Sequence, residues 1–317
     1  APAQLATAVL AVIAGRDLEA AATGHGLHTT ELTEAVQTYQ AAGYAALERR
    51  AEQQWHQVLI EFPTWEQAET IAATQLAPRL DDLRHHTAID NWWFLRKHPC
   101  WRIRLLTRGP NHGPTTVAAI TKTLTELTDR GAINGWRSAV YEPEHAAFGG
   151  PTAMTVIHDL FCADSHGVLD YARTPSPAIG RRELSIMLLH ALLDGAGLDW
   201  FERGDVFHRV AQLRPVPAAP DSAGPVNALA GKVRTLLHAT DTLLSADGPA
   251  AFAVKWRDVF QIAGKRLGDA AADGHLDRGL RALLTHVVIF HWNRLGLSAT
   301  TQGILARAAT AAFLPPA

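Results

Sequence analysis

Asn91-Trp92-Trp93-Phe94-Leu95-Arg96-Lys97-His98-Pro99-Cys100-Trp101-Arg102-Ile103-Arg104-Leu105-Leu106-Thr107 is the stretch from which the fold is read. Its aromatic and branched side chains suit a pleated, half-buried surface and predict two adjacent strands, Asn91 to Lys97 and Trp101 to Thr107. In the second strand Ile103 and Leu105 alternate against Arg102 and Arg104, so the two guanidiniums share one face. Upstream, Trp55-His56-Gln57-Val58-Leu59-Ile60-Glu61-Phe62 reads as another strand, stopped by Pro63. A helix from Trp65 to about Leu83 follows, with Ala68, Ile71, Ala72, Leu76 and Leu80 on its apolar side. Downstream, residues 115 to 130 read as a helix and Trp136 to Glu142 as a fourth strand. Strand, helix, strand, strand, helix, strand is the order of a ferredoxin-like split βαβ unit.

After Pro151 the periodicity is helical nearly to the end, over about 154–172, 181–196, 199–212, 226–245, 249–267 and 277–295. Arg214 to Pro225 (RPVPAAPDSAGP) has the composition of an exposed linker. Before Trp55 the chain reads as short helices. Leu5, Val9, Leu10, Val12 and Ile13 form one apolar stripe, Leu18, Ala21 and Ala22 begin another, and Gly24 to Leu27 is a turn. A helix carrying Leu32, Val36 and Tyr39 comes next, and a further one starts near Ala42. The expectation is an α+β chain: residues 1–50 as a helix-turn-helix-like unit, and 51–317 as a ferredoxin-like sheet followed by a helical half.

Hydrophobic residues make up 47% of the 317 and charged residues 19%, the composition of a soluble globular protein. No stretch approaches the ~18 uninterrupted apolar residues of a membrane span. Ala1 to Gly15 is Ala-rich but lacks a basic start, and Arg16, Asp17 and Glu19 follow in helical register, which argues against a signal peptide. Cys100 and Cys162 form no disulfide framework, zinc pattern or CxxC, which fits a reducing cytosol. The net charge of −2, and the acidic Glu31 and Glu34 after the first turn, argue against nucleic acid. His286 and His291 are five apart and diverge on a helix, no HExxH is present, and His85-His86 has no accompanying ligand pattern, so no metal site is expected. GxSxG, P-loop and Rossmann fingerprints are absent too.

Three clusters carry chemistry. In the first, Arg102 and Arg104 could grip a carboxylate or a peptide carbonyl, or form an ordinary solvated strand face. The second is Tyr141-Glu142-Pro143-Glu144-His145-Ala146-Ala147-Phe148-Gly149-Gly150, which puts titratable groups beside a glycine turn that allows close approach to the backbone. Asp164-Ser165 nearby reads by default as a helix cap. The third is His291-Trp292-Asn293-Arg294-Leu295-Gly296, where helical spacing puts His291 and Arg294 on one face and the polar Asn293–Arg294 end needs partners, which loop carbonyls could supply.

In this order and spacing, WWFLRKHPCWRIRL, YEPEHAAFGG with FCADS, and HWNRLG resemble the C-terminal domain of class I lantibiotic dehydratases and its stand-alone relatives, the thiopeptide-type bacteriocin biosynthesis proteins. The resemblance covers about residues 55 to 300 and implies an α+β domain that handles a ribosomal precursor peptide, leader and core, in the cytoplasm. Eliminating members of the family expel glutamate from glutamylated Ser or Thr. They use an H-[IL]-R-x-R strand, an Arg in a P-E-x-x-R-Y-G-G turn, and a His four residues before the Asn-Arg pair. In this chain Arg102 and Arg104 are kept. The strand His is Trp101, the turn Arg is Ala147 with Phe148 in the Tyr slot, and the helix His is Ile289. An alanine cannot hold a carboxylate and an isoleucine cannot shuttle a proton.

A sister branch, the thiopeptide pyridine synthases, joins two dehydroalanines by a formal 4+2 cycloaddition and then loses water and the leader peptide. By that resemblance no metal, nucleotide or redox cofactor is needed. Positioning two distant residues of one peptide, with donors for an iminol, carries the reaction. His291, with Arg294 and Asn293, is the expected acid–base and orienting group, with Tyr141, Thr285 and Ser298 as candidate hydroxyls. Arg102, Arg104, Arg96, Glu144 and His145 are expected to bind the peptide, and Trp92, Trp93 and Trp101 to line the cleft. Two other readings stand beside this one: glutamate elimination alongside a separate glutamylating enzyme, and a leader-binding subunit of a complex of modification enzymes.

Overall fold

A computed structural model describes residues 2–52, 54–86, 88–108, 113–216 and 223–314. The chain divides into two compact units, Ala1–Gln54 and Trp55–Ala317. The first holds α1 (Pro2–Ile13), α2 (Leu18–His25) and α3 (Thr29–Glu52). Asp17 caps α2 by accepting from the Ala20 N–H, and left-handed Gly26 closes it. Ala8, Val9, Ala21, Ala22, Leu32 and Val36 form the core of this unit. The helix expected to begin near Ala42 is instead the continuation of α3. Only Gly43 interrupts good helix formers there, and one glycine costs about 1 kcal/mol.

The second unit opens with β1 (Trp55–Glu61), then α4 (Trp65–Ile71), a π turn (Ala72–Leu76) and α5 (Ala77–His85) as one helical rod. β2 (Ile89–Lys97), β3 (Cys100–Thr107), α6 (Gly113–Asp129) and β4 (Gly135–Ala139) follow. The strands pair antiparallel in the order β2-β3-β1-β4, the arrangement of the ferredoxin-like unit. The register separates the two faces. Val58, Ile60, Trp92, Phe94, Trp101, Ile103 and Leu105 share one, buried in a continuous core with Leu76, Leu80, Ile120 and Leu124 of the helices. Gln57, Leu59, Trp93, Leu95, Arg102, Arg104, Arg137 and Ala139 share the other. That second face is where polar side chains collect.

The helical half begins with α7 (His145–Phe148) and α8 (Pro151–Arg173). α8 closes the outer edge of β2, where Ser165 Oγ accepts from the Phe94 N–H at 3.0 Å. α9 (Arg181–Gly195), α10 (Trp200–Leu213), α11 (Ala223–Leu243), α12 (Val254–Ala272), α13 (Leu280–Arg294) and α14 (Ala299–Phe313) complete it. α9 and α12 approach so closely that a Cβ on Gly264 would stand 2.0 Å from the Leu192 carbonyl oxygen. α14, capped by Ser298, lies beyond the last helix expected from the sequence. Of the expected linker, residues 217–222 fall outside the described residues, and Ala223 already begins α11. Among the described residues no helix is long and apolar enough to cross a membrane.

Candidate active site

The polar face of the sheet opens into a cavity of about 610 Å³, bounded by Gln57, Leu59, Arg102, Arg104 and Ala139 on the strands and by Val140 and residues 142–147 on the loop and short helix that follow β4. Arg104 forms part of its wall and is only 2% exposed. Its guanidinium lies over the Trp93 ring at 4.0 Å and the Tyr141 ring at 4.7 Å, a stacking that Lys could not match. Arg104 Nε donates to Gln57 Oε1 at 2.9 Å, and Gln57 Nε2 donates to the Val140 carbonyl at 2.8 Å, which ties the loop to the strand. Burial lowers Arg104 to about 10, opposed by Tyr141 and Glu144, so it stays cationic at neutral pH.

Tyr141 is also joined to α8: its hydroxyl lies 2.7 Å from His158 Nε2. Burial, then Arg104 and His145, push His158 down to about 3, so a neutral imidazole faces the phenol. Trp55 packs against the same ring with centroids 4.5 Å apart. A half-buried neutral imidazole paired with a phenol, beside a desolvated arginine, is an arrangement that can orient the Tyr141 hydroxyl and stabilise developing negative charge on an amide oxygen.

Under this site lies a fully buried ionic cluster. Asp164, in the middle of α8, accepts from His291 Nδ1 at 2.9 Å, Arg294 Nε at 2.6 Å and Trp256 Nε1 at 3.1 Å. Burial alone would raise the Asp164 carboxyl, but His291 and Arg294 outweigh it and hold it below its ordinary value. The Arg294 guanidinium lies 4.1 Å over the Phe161 ring, Phe161 packs on Trp93 at 4.9 Å, and Trp93 underlies Arg104. A path of packed rings and guanidiniums thus links the cluster to the cavity wall. The C-terminus of α13 is held by two more arginines: Arg96 Nε donates to the Arg294 carbonyl at 2.7 Å, Arg181 donates to the Leu295 carbonyl, and both pair with Glu69.

The residues singled out from the sequence therefore fall into two places. Arg102, Arg104, Glu144 and His145 line the cavity, with Tyr141 against Arg104. His291 and Arg294, expected at the reacting atoms, are both 0% exposed and belong to the Asp164 cluster. Asn293 faces away from them and accepts from Gln302 Nε2. Arg96 lies on the helix-covered face, stacked on Trp101, and not with Arg102 and Arg104. Trp92, Trp93 and Trp101 are each 1% exposed, so they support the sheet and line no open cleft. Asp164-Ser165 caps nothing; both residues are interior to α8, one as the ionic hub and one on the edge of β2. Of the remaining hydroxyl candidates, Thr285 bonds back to the Arg281 carbonyl within its own helix and Ser298 caps α14. His158 and Gln57 escaped sequence reading because neither sits in a motif, and only the fold brings them to Tyr141 and Arg104.

Residues 55–313 match the family described as lantibiotic biosynthesis dehydratase C-terminal. Among solved structures, the chain is similar to the tRNA-dependent lantibiotic dehydratase MibB from Microbispora sp. 107891, with TM-score 0.62 and 19% identity over 81% of this chain. The match takes in only 28% of MibB's length. The chain is also similar to TbtD, the pyridine synthase from thiomuracin biosynthesis, with TM-score 0.54 and 14% identity over 82% of this chain and 97% of that one. TsrL matches with TM-score 0.51 and 16% identity over 83% of this chain and 100% of its own. At these identities the three structures share its fold. No protein of curated function matches the chain in sequence.

Proposed function

Because this chain belongs to the lantibiotic biosynthesis dehydratase C-terminal family, we propose that it modifies a leader-bearing ribosomal peptide by a formal 4+2 cycloaddition of two dehydroalanines, forming a pyridine-centred macrocycle. The observation that carries the reading is Ala147. It lines the cavity with Arg102 and Arg104, at the position where the eliminating pattern has its turn arginine. A methyl group there cannot hold a departing glutamate, and it leaves the volume to substrate. Ile289, at the position of the proton-shuttling histidine, is 5% exposed and carries no titratable group.

In this reading Arg102 and Arg104 donate to the oxygen of the amide that becomes the iminol, where electron density grows as the amide proton passes from nitrogen to that oxygen through solvent. The iminol azadiene and the second dehydroalanine then form two new carbon bonds. Tyr141, with its proton position set by neutral His158, assists departure of the iminol oxygen as water. Loss of the leader as an amide aromatises the ring. His291 and Arg294 act through Asp164, holding α8 and α13 beneath Trp93 and Arg104, without touching substrate. Elimination of glutamate is the second reading, favoured by the retained guanidinium pair.

The test gives the protein a thiopeptide precursor in two forms, one glutamylated and one carrying dehydroalanines, and follows mass. Release of a leader amide with loss of water from the dehydrated form supports cycloaddition. Loss of glutamate from the other form replaces it with elimination. No change in either form rejects both.

A further inference from the structure

The two outer edges of the sheet are treated differently. The edge of β2 is covered by α8, down to the hydrogen bond from Phe94 to Ser165. β4 is the other terminal strand, and among the described residues no backbone hydrogen bond reaches its outer side. Arg137 and Ser138 are exposed on it, and Val140, just beyond its end, is 88% exposed. Such an edge presents a row of backbone donors and acceptors that an extended peptide can complete.

The register says where that peptide would lead. Ala139 lies in the row Trp93–Arg104–Gln57–Ala139 and lines the cavity. Arg137 lies in the adjacent row Leu95–Arg102–Leu59–Arg137, two residues away on the same face. A strand added outside β4 would therefore point one side chain at the cavity mouth and the side chain two residues away at Arg137. Short, charged edges are also how sheets deter pairing. This one differs in running straight into a cavity, with an apolar side chain exposed at the junction.

We propose that the outer edge of β4 binds an extended, acid-bearing peptide as a fifth strand, with its carboxylate opposite Arg137 and the side chain two residues away entering the Arg102–Arg104 cavity. The proposal takes its peptide substrate from the function proposed above, but binding and turnover are measured separately.

The experiment selects from a displayed library of random ten-residue peptides against the full-length protein and titrates the winners by fluorescence anisotropy. Enriched peptides carry Asp or Glu at one position of an alternating pattern. Methylating backbone nitrogens one at a time weakens binding about tenfold at every second position and little between. Arg137→Glu, an exposed change, lowers affinity about fivefold or more while the melting temperature is unchanged. Arg137→Ala lowers it about threefold. No enrichment, uniform sensitivity to N-methylation, or binding indifferent to Arg137→Glu would overturn the strand-addition mode. Peptide bound at this edge with no turnover in the mass assay would reject the cycloaddition and leave the edge site standing. Turnover with no edge binding would do the reverse.

Discussion

Replacing Asp164 by Asn keeps the shape of the side chain and removes the one negative charge in the buried cluster. The Arg294 guanidinium then remains at 0% exposure with no counter-charge, and one of the donors from His291, Arg294 and Trp256 meets an amide NH2 in place of an oxygen. Breaking a buried pair from one side costs about 3–5 kcal/mol, which for a unit of this size lowers the melting temperature by roughly 6–20 °C. All nine tryptophans lie at Trp55 or beyond, so tryptophan fluorescence reports the unfolding of the second unit alone. The sign with pH follows from Asp164's depressed carboxyl. Its contribution is present above the unfolded value of about 4 and is lost as pH falls through the lower folded value. Asp164→Asn therefore loses stability at pH 7 and also loses that acid-limb slope. The double variant Asp164→Asn/Arg294→Met removes the stranded cation and should recover about 2 kcal/mol or more of the loss. An Asp164→Asn protein within 1 kcal/mol of the parent in urea titrations, or a double variant no better than the single, would refute the ionic-hub reasoning.

Three further outcomes follow from the same structure. His158 is held neutral down to about pH 3 while the unfolded residue protonates near 6.5. Stability should therefore fall by up to about 1.4 kcal/mol per pH unit as pH drops through that window, and His158→Gln should flatten the slope of urea midpoints between pH 4.5 and 6.5. Gly264→Ala would place a methyl carbon 2.0 Å from the Leu192 carbonyl oxygen and should cost about 1–3 kcal/mol by forcing α9 and α12 apart, read as a lowered urea midpoint. Arg104→Lys keeps the charge but loses the stacked plane between Trp93 and Tyr141; turnover on the dehydrated peptide should fall about tenfold or more while the tryptophan melt moves by only a few degrees.

Much of the second unit was legible because its cues are local. Alternation in Trp101–Thr107 and the block order from Trp55 to Glu142 are period-two and period-3.6 signals, and the strands pair as that order implies. The helix expected to start near Ala42 is part of α3, and α14 lies beyond the last helix expected. Arg102, Arg104, Glu144 and His145 reach one cavity because two of them share a face of β3 and two follow β4, which lies across β1 in the same sheet.

Burial depends on what packs on each face, and periodicity is silent on that. His291 and Arg294 share a helix face as their spacing requires, but that face meets Asp164, 127 residues away from His291, in the core and not in the cavity. Arg96 and Arg102 look alike in the string, yet alternation and the antiparallel register put them on opposite faces, one capping α13 and the other lining the cavity. His158 stays neutral beside Tyr141 well into the acid range through desolvation and the nearby charge of Arg104, both effects of the tertiary fold. Residue types and their local periods were enough to place the sheet and its arginine strand. The three-dimensional packing, which sets dielectric and brings distant charges within reach of each other, settled which polar groups face the cavity and which hold the core.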